Sequence, residues 1–141
     1  MLTVQSKKVS YLQPMACHAI AVDRQSWAEI NLVKRQRYLF VCINRRADDN
    51  PKGCCAAKGS EEIYKALKTE VAARGLNKLE ARVCTSSCLD QCATGVTILI
   101  EPDHFFYGRV TLADVPAIVY GIATGQRVER LVLTAQDLAK G

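Results

Sequence analysis

Apolar residues in this chain follow two spacings, one suited to strands and one to helices. Residues 38–43 (YLFVCI) form a short, near-continuous apolar run, as a buried strand does. Residues 44–59 are polar and rich in turn formers (NRRADDNPKG, then CCAAKG), which predicts a long loop. Loops beyond about 12–15 residues without structure of their own are uncommon and usually functional. Ser60 is placed to cap a helix, with Glu61 and Glu62 in the first turn, where the helix dipole favours acidic groups. Ile63, Ala66, Leu67 and Val71 recur at helical spacing, and Gly75 suits the stop. Residues 79–84 (LEARVC) alternate as a strand does, and Thr85 to Gly95 reads as a second loop. Residues 96–100 (VTILI) predict a strand covered on both faces. A turn at 101–104 then leads to a short returning strand at 105–107. Thr111 and Asp114 open a second helix whose stripe is Val115, Ile118, Val119 and Ile122. Pro116 fits only near its start, and Gly125 ends it. Residues 130–133 (RLVL) predict a last strand or a docked tail.

The order is strand, helix, strand, strand, strand, helix. This predicts an α/β fold, a thioredoxin-like βαβ-ββα arrangement with a mixed sheet and two main helices. The first crossover should be right-handed, with its two strands parallel. Residues 1–36 show no sustained period, although 25–35 could form a short helix opened by Ser26. The expected division is an N-terminal extension at 1–36 and one domain at 37–141. Met15 offers an alternative start of translation. No repeat or low-complexity segment interrupts the chain.

Composition changes this picture in one respect. A chain of 141 residues that is 49% hydrophobic can bury a single core without metals or disulfides. Yet it holds seven cysteines. Lys7 and Lys8 precede no continuous apolar stretch, so no signal peptide is expected. No apolar run is long enough to span a bilayer. A cytoplasmic setting is therefore expected, where disulfides are rare and clustered cysteines point to metal binding or redox chemistry. The net charge of +5 is scattered, apart from Lys34, Arg35 and Arg37 and the pair Arg45 and Arg46. It does not make the basic face that a nucleic-acid binder carries.

The cysteines fall where the topology gathers them. Cys42 ends the first strand and Cys55 lies in the loop after it. Cys88 and Cys92 lie in the loop after the second strand. Parallel strands of a βαβ unit send both loops to one sheet edge. The spacing, C-x12-C and then C-x3-C, suits a [2Fe–2S] cluster, which takes two thiolates per iron. Cys88 and Cys92 would hold one iron, Cys42 and Cys55 the other. Gly53, Gly59 and Gly95 flank them and permit close backbone approach.

Blander readings compete. Free cysteines are often small buried hydrophobes, but four in two polar loops at one edge are not placed for that. Zinc ribbons favour tight C-x2-C knuckles, and a dithiol oxidoreductase would need C-x-x-C opening a helix. Cys17, Cys54 and Cys84 are spare: Cys17 as a surface thiol, Cys84 as core, Cys54 as an alternate ligand or redox-sensitive thiol. His18 and His104 are expected to face solvent, since neither accompanies a cysteine pair as a Rieske centre requires. Asp90 and Gln91 should support the loop. Arg45, Arg46, Lys52 and Lys58 are either ordinary solvated loop residues or charge compensation for an anionic cluster, steering an acidic partner.

These motifs resemble a known family. FVCINRR (40–46), PKGCCAAKGSEE (51–62), SSCLDQCATG (86–95), YGRVTLADV (107–115) and RVERLVL (127–133) are similar to segments of the thioredoxin-like [2Fe–2S] ferredoxins. That group includes the Shethna-type ferredoxins and is related to the thioredoxin-like subunit of respiratory NADH dehydrogenases. The resemblance covers about residues 38–133. It implies a low-potential one-electron carrier rather than an enzyme, often dimeric, exchanging electrons with redox partner proteins. Family members typically carry one cysteine at the position of Cys55 and often a serine at that of Cys54. The doubled cysteine leaves the ligand choice open between them. The segment 1–36 has no counterpart in the family and suggests a second reading, an iron–sulfur subunit or accessory protein of a larger hydrogenase or dehydrogenase. A third is a zinc-stabilised, non-redox binding module.

Overall fold

The computed structural model describes residues 34–140. Met15, Cys17, His18, Ser26, Trp27 and nearly all of the helix expected at 25–35 lie outside the described residues. Four strands form one mixed sheet: β1 (Arg37–Cys42), β2 (Ala81–Ser86), β3 (Ile98–Glu101) and β4 (Phe105–Tyr107). Their order across the sheet is β2-β1-β3-β4. β1 runs parallel to β2 and antiparallel to β3, and β3 pairs antiparallel with β4. The helices are α1 (Ser60–Ala73), α2 (Val115–Thr124) and a single-turn α3 (Ala135–Leu138). This is the expected thioredoxin-like βαβ-ββα arrangement with two main helices.

Alternation along the strands sends one set of side chains inward. Leu39, Val41, Ala81, Val83, Ile98 and Ile100 join the helix stripes Ile63, Leu67, Val71 and Val115, Ile118, Val119, Ile122 in one core. Leu39, Leu67, Ile98 and Ile118 are fully buried; each such side chain contributes about 1.5–3 kcal/mol relative to exposure. The opposite face is only half covered: Tyr38, Phe40 and Leu99 are intermediate in exposure, and the rings of Tyr38 and Phe40 stack 6.3 Å apart. The reading of 96–100 as a strand covered on both faces is thus corrected. The strand begins at Ile98, and Leu99 looks outward from the core.

Both main helices end as read. Leu76 N donates to Val71 O and Gly75 N to Ala72 O, with Gly75 at φ 72°, which closes α1 in a Schellman motif. Gly125, at φ 73°, closes α2. A 3-10 turn, Leu112–Asp114, leads into α2 and carries a capping box, and the Thr111 N–H and hydroxyl both donate to Asp114 Oδ2. Arg130 reaches the other oxygen of Asp114 at 2.5 Å and fastens the C-terminal segment there. The start of α1 differs. Gly59, in the left-handed region, precedes the helix, and Ser60 is its first residue. The Ser60 hydroxyl caps nothing; it is buried without a hydrogen-bond partner. The tail at 130–133 docks through one antiparallel bridge, Val132 to Tyr107, and continues into α3, which the apolar pattern does not announce.

Candidate metal centre

Strand register decides where the cysteines meet. Cys42 closes β1 directly opposite Ser86, which closes β2. The two following loops therefore leave the sheet side by side. The first folds back through a 3-10 turn, Ala56–Lys58, and the second through another, Cys92–Thr94. Gly95 is where the loops touch: a Cβ there would lie 2.7 Å from Cys55 Sγ and 3.4 Å from Cys92 O. From the other side, Lys58 Nζ donates to the Cys92 carbonyl at 2.7 Å.

The four expected ligands fall into two pairs, Cys88 with Cys92 and Cys42 with Cys55. Cys88 and Cys92 Sγ stand 3.5 Å apart at the edge of the site. Cys42 and Cys55 are both buried, at 1% exposure each, which puts this pair in the interior. Burial pushes the Cys55 thiol up to about 11; Thr97 hydrogen bonds oppose this, while the neighbouring Cys42 thiol adds to it. A thiolate at Cys55 is therefore costly without a positive partner such as a metal. At the edge the balance differs. The Asp90 N–H, donating to Cys88 Sγ at 3.3 Å, brings that thiol down against its desolvation, helped by Cys92 and Arg46. Burial raises the Cys92 thiol, and Arg46 counteracts it.

Cys54 and Cys55 take opposite directions. Cys54 is also buried, but its sulfur accepts the backbone N–H groups of Arg46 and Ala57, which lower its pKa. It is tied into its own loop, while Cys55 meets Cys42 and Thr97. Cys84 is half-buried on β2, paired with Phe40. His104 is exposed as expected, with its ring on Glu101 at 2.7 Å. Asp90 and Gln91 support the loop, Asp90 through its N–H to Cys88 and Gln91 through its carbonyl, which accepts from the Thr94 and Thr97 hydroxyls. The Gln91 amide also donates to Leu138 O, fastening α3 to this loop. Of the four basic residues, Arg45, Lys52 and Lys58 are exposed, whereas Arg46 is half-buried and reaches both sulfurs of the outer pair. Lys52, Lys58 and Lys140 line an open cleft of about 500 Å³ beside Cys92.

The donor set can be tested against a cluster. A single tetrahedral ion needs four donors on one point. Among the described residues, no three His, Cys, Asp or Glu side chains are grouped to hold a metal ion. A [2Fe–2S] cluster instead takes two thiolates per iron, and two thiol pairs, one of them with N–H donors aimed at sulfur, fit that requirement.

Known proteins are similar to this chain in sequence and fold. The chain is 33% identical over 101 residues to a 2Fe-2S ferredoxin of Clostridium pasteurianum, spanning 98% of that protein and 71% of this one. The chain belongs to the thioredoxin-like [2Fe–2S] ferredoxins. It is 30% identical over 99 residues to a 2Fe-2S ferredoxin of Aquifex aeolicus, spanning 89% of that ferredoxin and 70% of this chain. The crystal structure of the wild-type thioredoxin-like [2Fe-2S] ferredoxin from Aquifex aeolicus superimposes with a TM-score of 0.68 at 30% identity, over 71% of this chain and 98% of that one. No family model matches the chain. The fold and family implied by the sequence motifs are therefore those of its ferredoxin relatives.

Proposed function

We propose that the protein is a one-electron carrier, holding one [2Fe–2S] cluster on Cys42, Cys55, Cys88 and Cys92. The observation that carries this reading is the two thiol pairs at and after the ends of parallel β1 and β2, Cys42 with Cys55 fully buried and Cys92 with the half-buried Cys88. When bound, the cluster supplies a one-electron couple, Fe(III)/Fe(II), with no substrate needed. The chain's own residues hold and shield it. The interior pair is fixed by β1 and the Thr97 contacts, and the outer pair by the Asp90 N–H and the Arg46 guanidinium. Cys55 is taken as the ligand over Cys54, because its sulfur meets Cys42 while that of Cys54 is engaged by its own loop. The protein works by exchanging electrons with redox partner proteins and has no enzymatic activity of its own. Its proposed setting is the cytoplasm. No described helix is long and apolar enough to cross a membrane.

Residues 37–141 are the ferredoxin unit in this reading, and 1–36 an extension to it. About 70% of this chain matches 89% and 98% of the two ferredoxin relatives, so part of it is unmatched by them. The unmatched remainder favours one second reading, a subunit of a larger redox complex docked through that extension. Anaerobic purification with iron and acid-labile sulfide assays tests the first reading. The expected protein is red-brown, bleaches with dithionite and carries about two irons and two sulfides per chain. A colourless protein with one zinc would overturn it. A flavoprotein or hydrogenase subunit that co-purifies stably would select the second reading.

A further inference from the structure

Among the described residues, Arg46 is the cation whose side chain the fold aims at sulfur. It lies four residues beyond Cys42 in the first loop, yet its guanidinium crosses to the second. Nη1 donates to Cys92 Sγ at 2.6 Å and to Gly53 O at 3.0 Å, and Nη2 donates to Cys88 Sγ at 3.3 Å. One planar group therefore spans both sulfurs of the outer pair. The neighbouring cations act elsewhere: Lys58 binds a carbonyl, and Arg45 and Lys52 are exposed.

We propose that Arg46 sets the reduction potential of this site and positions the Cys88–Cys92 pair. The proposal rests on the electron-carrier reading. N–H bonds to cysteine sulfur and net charge are two of the factors that set iron–sulfur potentials. Taking one electron from an external low-potential donor adds one negative charge to the loaded site, and no proton is required. A fixed positive charge hydrogen-bonded to two ligand sulfurs stabilises that added charge more than it stabilises the oxidised form. Arg46 thus raises the potential above what the same thiolates would give alone. The bidentate fork is a property of arginine that lysine lacks, so charge and geometry can be separated by substitution.

The test is a mediated redox titration of the native protein and of Arg46→Gln, Arg46→Lys and Lys52→Gln, all prepared anaerobically. Iron and sulfide are assayed on each, and resonance Raman spectra record the Fe–S(Cys) stretches. The potential of Arg46→Gln is read on its iron-loaded fraction, normalised to the iron and sulfide found. Its reduction constant should fall tenfold or more, which is about 59 mV for a one-electron couple. Arg46→Lys should fall by less, with shifted Fe–S(Cys) bands, because the charge remains and the fork is lost. Lys52→Gln, a charge loss without a sulfur contact, should change the constant by less than twofold. A native potential in Arg46→Gln, or an equal fall in Lys52→Gln, overturns the proposal. Should Arg46→Gln take up no iron, Arg46→Lys decides: unchanged bands and potential overturn the proposal, and the predicted shifts support it. A native protein without iron would instead overturn the electron-carrier reading itself.

Discussion

The two thiol pairs occupy opposite environments. Cys42 and Cys55 are sealed in the interior, where burial and mutual proximity make an uncompensated thiolate costly. Cys88 and Cys92 sit at the edge of the fold, where an N–H group and a guanidinium already face sulfur. The inner pair is set by packing and the outer by hydrogen bonds. The lesson is a division of labour in the proposed site: apolar packing encloses one half, and polar groups face the sulfurs of the half nearer solvent.

Replacing the adjacent cysteines one at a time breaks this contrast most directly. Cys55→Ser should lose most of its bound iron, because the inner pair offers no other donor at that point. Cys54→Ser should keep its iron and visible spectrum, since its sulfur serves only the loop backbone. Iron content of the two purified variants checks this, and the opposite pattern would make Cys54 the ligand. A smaller effect is expected at the contact between the loops. Gly95→Ala places a methyl 2.7 Å from Cys55 Sγ, so the loops must separate. Overpacking of this kind costs about 1–3 kcal/mol, and iron should be lost to a chelator several-fold faster than from the native protein. An unchanged release rate would mean that the inner pair does not depend on this close approach.

The smallest effect concerns α3, which steadies only the outer loop through Gln91. Asp137 caps this turn: the Thr134 N–H and hydroxyl, then Arg109, hold its carboxyl down to about 2. A depressed carboxylate stabilises the folded form fully above the unfolded value of about 3.9. That stabilisation is lost only as the pH falls through the folded value of about 2. Amide exchange of Leu138 and Ala139, corrected for intrinsic rates, should therefore be level from about pH 7 to pH 5. In Asp137→Ala it should be faster throughout. A loss of protection in the native protein already in that range would remove Asp137 as the cap.

Much of this arrangement was legible in the residue pattern, for a physical reason. Leu67, Val71, Ile118 and Val119 repeat at the spacing their helices bury, and β1 runs apolar where it crosses the core. The cysteines proposed as ligands lie at or after the ends of β1 and β2, so the topology alone puts them on neighbouring loops. Other features depend on directions that a linear pattern does not carry. Cys54 and Cys55 are neighbours in sequence and diverge only because the loop turns between them. Arg46 looks no different from Arg45 until the first loop is folded against the second. Ser60 reads as a cap, yet Gly59 takes the turn ahead of it. Single-turn α3 is too short to show a period at all.

The bond from Gln91 to Leu138, with Lys140 lining the cleft beside Cys92, has a practical consequence. A redox enzyme joined genetically after Lys140 would be tethered at the doorway of the electron carrier. Short flexible tethers give effective concentrations of the order of millimolar, so weak encounters at this edge would become nearly continuous. A linker on this side offers a direct way to wire the protein to a chosen acceptor.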